Sequence, residues 1–250
     1  MCWPIKKYSR GQHYPKPALA LDPFGIVLLD LITLEEPNML RLTLAFGVIA
    51  SFLFIAGTLS LAFGVDGYSA ASRTVSEIGK LGSAMEMPYK IMLVSVGFSV
   101  VAMSAGMYHL TKTTKSGIVI SILVFSYGVC TIGLAIFPSP HKFHNVFGLA
   151  CIFGYFAPLV SAISPSNNFR KFRSLSWVFF IFILAFIFLS LSPLFAKDLY
   201  SLKYYGIVQR SVLYPFYAWL ACLSFELLRF EKVRCVKTSD SSGKALKPTP

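Results

Sequence analysis

The chain has 250 residues, of which 55% are hydrophobic and only 14% are charged, and its mean hydropathy is +0.65. Soluble domains carry about 25% charged residues, so this composition excludes an ordinary water-soluble protein and indicates an all-α, polytopic membrane protein. The net charge of +12 does not indicate nucleic-acid binding, because the lysines and arginines lie between apolar runs and form no basic soluble region.

Residues 1–38 form a leader ahead of the first long apolar run. Its own apolar stretch, Phe24–Leu34, is interrupted by Asp30 and is too short to cross a bilayer. Two interpretations stay open for this leader. It is a cytoplasmic segment with an interfacial helix, or it is an extension upstream of a natural start at Met39.

Six apolar runs of about 20 residues follow, which is the length needed to cross a hydrocarbon core of roughly 30 Å. These predicted spans lie at residues 42–64, 91–110, 117–137, 146–164, 175–195 and 207–230. They define a transmembrane domain at 39–231, and the polar composition of the tail, 232–250, predicts disorder. Pro158 and Pro215 predict kinks in the fourth and sixth spans, because proline removes a backbone donor.

The orientation follows from the lysines and arginines, since positive residues in short loops stay on the cytoplasmic side. Sixteen of the 23 lie in the leader, the second and fourth loops and the tail, and seven lie on the opposite side. The count predicts that both termini are cytoplasmic and that the first, third and fifth loops face outward.

Polar side chains suited to chemistry collect in or beside these three outward loops. The first outward loop contains the run GYSAASRTVSEIG, the second outward loop contains HKFHN, and the third outward loop contains KYYGIVQR. We predict that they converge on one outward-facing polar pocket formed by Tyr68, Ser69, Arg73, Ser76, Glu77, His141, His144, Asn145 and Arg210.

Each part of this predicted pocket also has a structural interpretation. Arg73 and Glu77 are four residues apart and fit an exposed helical ion pair, and Thr74 with Glu77 fits a capping box. Arg210 lies about one turn inside the sixth span, where it binds an anion or lipid headgroup, pairs with Glu77, or extends to the lipid phosphates.

The two histidines of the second outward loop, His141 and His144, lie one helical turn apart. With Glu77 as a third ligand they are candidates for a divalent metal site of the two-histidine, one-carboxylate kind. An isolated HxxH pair is weak evidence, because such histidines also cap helices or pair with carboxylates at the membrane surface.

Three segments, GYSAASRTVSEIG, FPSPHKFHNVFG and YYGIVQR, carry a family resemblance. With them the chain resembles, from Met39 to Phe230, the bacterial and archaeal multi-pass membrane proteins catalogued as domain of unknown function 998. The resemblance implies a bacterial inner-membrane location and no defined activity, and it implies that the family's marked positions are Ser76, Glu77, His144 and Arg210. Ser139 and Pro140 stand where the family pattern leads us to expect an acidic residue, which weakens the metal hypothesis.

Three classes of function remain after these observations. The first is a binding or accessory protein that holds a lipid headgroup or small anion in the outward pocket. The second is a membrane-embedded hydrolase whose metal lowers the pKa of a bound water. The third, a transporter, ranks last because no acidic residue lies in the middle of a span. Familiar catalytic motifs are also absent from the sequence, which has no GxSxG, P-loop or HExxH pattern.

Overall fold

The computed structural model describes residues 37–165, 172–192 and 202–244. Residues 1–36 of the leader and 245–250 of the tail lie outside the described residues, as does the predicted end of the fifth span at 193–195. The described residues form seven α-helices: α1 Pro37–Ala62, α2 Glu86–Thr111, α3 Lys115–Ile136, α4 Lys142–Gly154, α5 Ala157–Ile163, α6 Arg173–Leu191 and α7 Tyr205–Lys244. Short 3-10 turns lie at Val75–Glu77 and Leu202–Tyr204, and the described residues contain no strand.

Six of the helical segments are long and apolar enough to cross a membrane, with α4 and α5 together forming the fourth. The prediction of an all-α, six-span, multi-pass membrane protein is therefore confirmed. The direction in which the bundle crosses the membrane stays a prediction.

The fourth span is interrupted where α4 ends and α5 begins, at Tyr155 and Phe156. Pro158 lies in the first turn of α5, the position where a missing backbone N–H leaves no helical hydrogen bond unmade. The kink predicted from this proline is thus a break between two helices. Pro215, by contrast, lies inside the continuous helix α7.

Helix α7 continues to Lys244, into the segment from Lys232 onward for which composition predicts disorder. Extending an existing helix adds one hydrogen bond for each residue that is fixed, whereas starting a new one is costly. Composition alone misses this effect, because it takes no account of the helix that already precedes the polar segment.

The helices close into a ring. Helix α1 packs against α2 and α7, α3 packs against α2, α4 and α5, and α6 packs against α5 and α7. Helices α2 and α3 approach closely at two glycines, since a Cβ added at Gly97 would lie 2.9 Å from the Gly128 carbonyl oxygen. Small residues at such crossings are typical of membrane helices, where close backbone contact replaces the hydrophobic driving force.

The two ends of this ring differ. Residues 63–85 connect α1 to α2, and we call them loop 1 and the end of the bundle that carries them the loop-1 end. At the opposite end, Arg41 Nε donates a 2.7 Å hydrogen bond to the buried carboxylate of Glu231, which joins the start of α1 to α7. The middle of α7 fills the ring with the fully buried side chains of Phe216, Tyr217 and Trp219.

Candidate functional site

Loop 1 is fastened to the first two turns of α7 by hydrogen bonds. The backbone N–H of Ile207 donates to the Ala71 carbonyl over 3.1 Å. The backbone N–H of Val75 donates to the side-chain oxygen of Gln209 over 2.7 Å. We call this contact between loop 1 and α7 the clasp.

Arg210 is the largest contributor to the clasp and is only 8% exposed. Its Nη1 donates to the carbonyl oxygens of Ala70 at 2.7 Å, Arg73 at 2.9 Å and Gly206 at 3.0 Å. Its Nη2 donates to the hydroxyl of Tyr68. Neutral oxygens therefore surround the buried guanidinium, and their dipoles offset part of the cost of removing the charge from water.

Tyr68 extends the clasp back into loop 1. Its hydroxyl accepts from Arg210 and donates to the Thr74 carbonyl oxygen over 2.8 Å. Burial raises the pKa of this hydroxyl, against the opposing influence of the Arg210 charge. The hydroxyl therefore keeps its proton at neutral pH and can act as donor and acceptor together.

Gly206 lets the carbonyls of loop 1 approach α7. A Cβ added there would lie 2.4 Å from the Arg73 oxygen, 2.5 Å from the Ala70 oxygen and 2.9 Å from the Ala71 oxygen. These distances are too short for any side chain, so the clasp requires glycine at this position.

Glu77 is bound within loop 1 and pairs with neither arginine. Its Oε1 accepts from the Thr74 backbone N–H at 2.9 Å and from the Thr74 hydroxyl at 3.0 Å. The predicted capping box is confirmed. The Ser76 hydroxyl lies 3.1 Å from that of Thr74, so Glu77, Thr74 and Ser76 form a short hydrogen-bonded chain.

The two histidines of the second outward loop hold the start of α4. His141 is exposed, caps the helix, and its Nδ1 accepts from the Phe143 backbone N–H at 3.2 Å. His144 is half-buried, and its Nδ1 lies 2.8 Å from the Phe137 carbonyl oxygen. Because a carbonyl only accepts, Nδ1 of His144 donates this hydrogen bond.

The predicted metal ligands do not come together as a set. The described part of the chain contains no group of three or more histidine, cysteine, aspartate or glutamate side chains placed to hold a metal ion. The roles that His141, His144 and Glu77 have here are those of capping and loop-stabilising residues.

A cavity of about 780 Å³ lies inside the ring, in the half of the bundle nearer the loop-1 end. The lining residues in loop 1 and near the helix ends beside it are Thr74, Ser76, His144, Asn145 and Gln209, and we call them the mouth. Further along the helices lie Phe54, Tyr127, Tyr155 and Tyr217, which we call the floor. Aliphatic side chains from α2, α4, α6 and α7 form the walls between mouth and floor. Among the described residues, no aspartate, glutamate, lysine or arginine lines this cavity.

Clasp and cavity both lie almost entirely within residues 48–226, which match the family described as protein of unknown function (DUF998). The chain belongs to the DUF998 family. This confirms the resemblance inferred from the three loop segments. No curated protein and no solved structure matches the chain.

The floor of the cavity in this DUF998 protein is aromatic and carries hydroxyl groups. The Phe54 ring stacks on Tyr217 with 4.0 Å between centroids, and Tyr127 meets Tyr217 edge-on at 5.9 Å. The Tyr217 hydroxyl is fully buried, beside Tyr127 and Thr131, which also line the cavity.

The predicted pocket residues thus divide into two groups in this DUF998 protein. Ser76, His144 and Asn145 line the cavity. The remaining predicted residues do not line it and belong to loop 1, the clasp or the α4 cap: Tyr68, Ser69, Arg73, Glu77, His141 and Arg210. Arg210 instead borders a separate groove of about 440 Å³ between loop 1, α6 and α7.

The pocket predicted from sequence leaves out several residues that matter to the site. Gly206 and Gln209 stand in the segment YYGIVQR, which the family resemblance singles out, so that segment was an available signal. The floor tyrosines carry no such signal, because a tyrosine within an apolar run looks the same whether it faces lipid, core or cavity.

Proposed function

We propose that this protein binds an amphiphilic lipid in the cavity of its bundle, with the headgroup at the mouth and the apolar part between mouth and floor. The observation that carries the proposal is the cavity's division into a hydrogen-bonding mouth and an aliphatic and aromatic interior. Ligand sites are commonly concave, mostly apolar and supplied with a few convergent polar groups, and this volume lies within their usual range.

The mouth suits a headgroup with hydroxyl, ester or amide groups better than a small anion. Its amides, hydroxyls and the imidazole of His144 donate and accept hydrogen bonds, and no cationic side chain of the described chain lines it. Arg210, the anion ligand expected from sequence, has its guanidinium directed to backbone carbonyls and to Tyr68. The positive-inside count and the family resemblance support a mouth that faces outward across a bacterial inner membrane.

The metal-dependent hydrolase and the transporter are the alternatives. The hydrolase requires a stoichiometric metal that is lost on His144→Ala, which elemental analysis of the purified protein would reveal. The transporter requires a path beyond the tyrosine floor, and saturable solute flux in proteoliposomes would favour it over lipid binding.

Lipid binding is tested with a variant whose larger side chain takes up space in the cavity. Gly148 lines it, and a Cβ added at Gly148 meets only a Leu134 methyl group at 3.9 Å, so we expect the side chain of Gly148→Phe to be accommodated there and to fill part of the cavity. Val146 lies on the same helix, is 58% exposed and does not line the cavity, which makes Val146→Phe the matched control.

We expect native mass spectrometry of protein extracted in mild detergent to show bound lipid in the wild type and in Val146→Phe. The bound lipid should fall several-fold in Gly148→Phe, because the phenyl ring takes the volume of the ligand. Equal lipid retention by both variants, or none in the wild type, would contradict the proposal.

A further inference from the structure

Two walls of the cavity are formed by helices that do not pack on each other. Helix α4 packs against α3, and α6 packs against α5 and α7, while α4 and α6 form no extensive interface in the described part of the chain. Both nevertheless line the cavity, α4 through Leu149 and Ile152 and α6 through Ile187, Ser190 and Leu191. We call the gap between these five residues the fissure.

Two residues of the fissure are much more exposed than residues on the α2 and α7 walls of the cavity. Leu149 is 64% exposed and Leu191 is 38% exposed although both line the cavity. On the opposite walls, Leu93 of α2 is 3% exposed and Val212 of α7 is 5% exposed. Leu149 and Leu191 therefore border both the cavity and the outside of the bundle, whereas Leu93 and Val212 are closed off from the outside.

The α4 side of the fissure lies within the fourth candidate span. Leu149 is two helical turns beyond the start of α4, which places it about 10 Å along the helix from its polar end. Four of the five fissure residues are leucine or isoleucine, and none is charged. Such a surface suits a hydrocarbon chain and offers nothing to bind a water-soluble ligand.

We propose that an acyl chain of a membrane lipid enters the cavity sideways between α4 and α6, from the leaflet at the loop-1 end, while the headgroup moves to the polar mouth. This inference rests on the proposed function and names the ligand's source. A lateral route keeps the chain in apolar surroundings throughout, whereas a route through the mouth would expose it to water.

The test measures how fast lipid bound in the cavity is replaced by lipid from the surrounding membrane. Leu93 is replaced by a diazirine-bearing aliphatic residue that reacts with whatever occupies the cavity, in proteoliposomes of phosphatidylcholine. Val96, buried on the same helix and not lining the cavity, carries the same residue in the control. Cyclodextrin then delivers deuterated phosphatidylcholine to the leaflet at the loop-1 end, and the mass of the adduct reports its arrival.

Two separate variants narrow the fissure. Ser190→Trp adds a bulky side chain on α6, and Leu149→Trp adds one on α4. Phe188→Trp and Val146→Trp are the matched controls, since both positions are exposed on the same helices and neither lines the cavity. Monomeric dihexanoyl phosphatidylcholine, which reaches the mouth from water, is added to every variant to check that the cavity is intact.

We expect exchange at Leu93 to slow at least tenfold in both fissure variants and to stay unchanged in both controls, while the soluble lipid labels all of them. Equal exchange rates in all variants would overturn the lateral route and leave lipid binding in place. An adduct at Leu93 no more abundant than at Val96 in the parent protein would overturn the route and the proposed function together.

Discussion

Arg210 lies where loop 1 contacts α7. The role that its position in the sequence suggests differs from the role that its contacts in the structure indicate. An arginine near the end of a span suggests an exposed ligand for anions or a side chain that extends to lipid phosphates. Here its donors point at the carbonyls of Ala70, Arg73 and Gly206 and at the Tyr68 hydroxyl. Its contribution is to fix loop 1, and so to shape the mouth of the cavity.

Arg210→Met should lower the thermal stability of the detergent-solubilised protein by about 3 kcal/mol, because it leaves several buried acceptors unpaired. Arg210→Lys should restore only part of the loss, since an ammonium cannot reproduce the planar fork of donors. Thermal unfolding followed by circular dichroism measures both.

Arg73→Met is the matched control for Arg210, because the clasp uses the Arg73 carbonyl and not its side chain. Its stability should change by less than about 0.5 kcal/mol. A loss as large as that of Arg210→Met would mean that the arginine side chain of loop 1 carries the contact instead.

At the scale of elements, the clasp joins loop 1 to α7 through backbone as much as through side chains. Loop 1 contributes the carbonyls of Ala70, Ala71 and Arg73, and α7 contributes Gly206 and the N–H of Ile207. A contact of this kind depends on two segments that are far apart in sequence approaching within van der Waals distance. It therefore needs a residue without a side chain at the crossing.

Gly206→Ala should destabilise the protein by about 1–3 kcal/mol, because the added methyl group overlaps three carbonyl oxygens and forces loop 1 away from α7. Hydrogen exchange in loop 1 should rise in the same variant. Gly148→Ala is the control, since the space around Gly148 is open and alanine is favoured over glycine inside a helix, so its unfolding temperature should be no lower than that of the wild type.

At the scale of the whole molecule, the ring of helices encloses the cavity, and the charge count predicts which way the cavity faces. The two ends of the bundle differ in exposed positions suited to labelling. Ser69 is exposed in loop 1, and Thr113 is exposed between α2 and α3 at the other end.

Ser69→Cys should react with a membrane-impermeant maleimide on intact cells, and Thr113→Cys should react only after permeabilisation, because positive residues hold the second loop inside. The measurement is made with Cys2, Cys222 and Cys235 replaced by serine, and the remaining Cys130 and Cys151 are buried, so that the engineered position is the accessible thiol. The reverse labelling pattern would invert the bundle and place the mouth of the cavity in the cytoplasm.

The sequence by itself determined the class of the protein, its six spans and the loops that matter. Runs of apolar residues are local signals, and a bilayer of fixed thickness turns their length directly into topology. The capping box of Thr74 and Glu77 could also be predicted from the sequence, because its two residues lie only three positions apart. The segments around Ser76, His144 and Arg210 were also enough to identify the family.

Only the tertiary structure decided which of these residues share a site. Arg210 and Ala70 are 140 positions apart, and the floor is built by Phe54, Tyr127 and Tyr217 from three different helices. Such contacts depend on how helices pack around one another, which no local pattern records, because a tyrosine or glycine within an apolar run reads the same on every face. For this reason the residues of the predicted pocket divide between a structural clasp and a cavity. The interior of the cavity depends on the packing of the helices into a ring, which the sequence alone does not reveal.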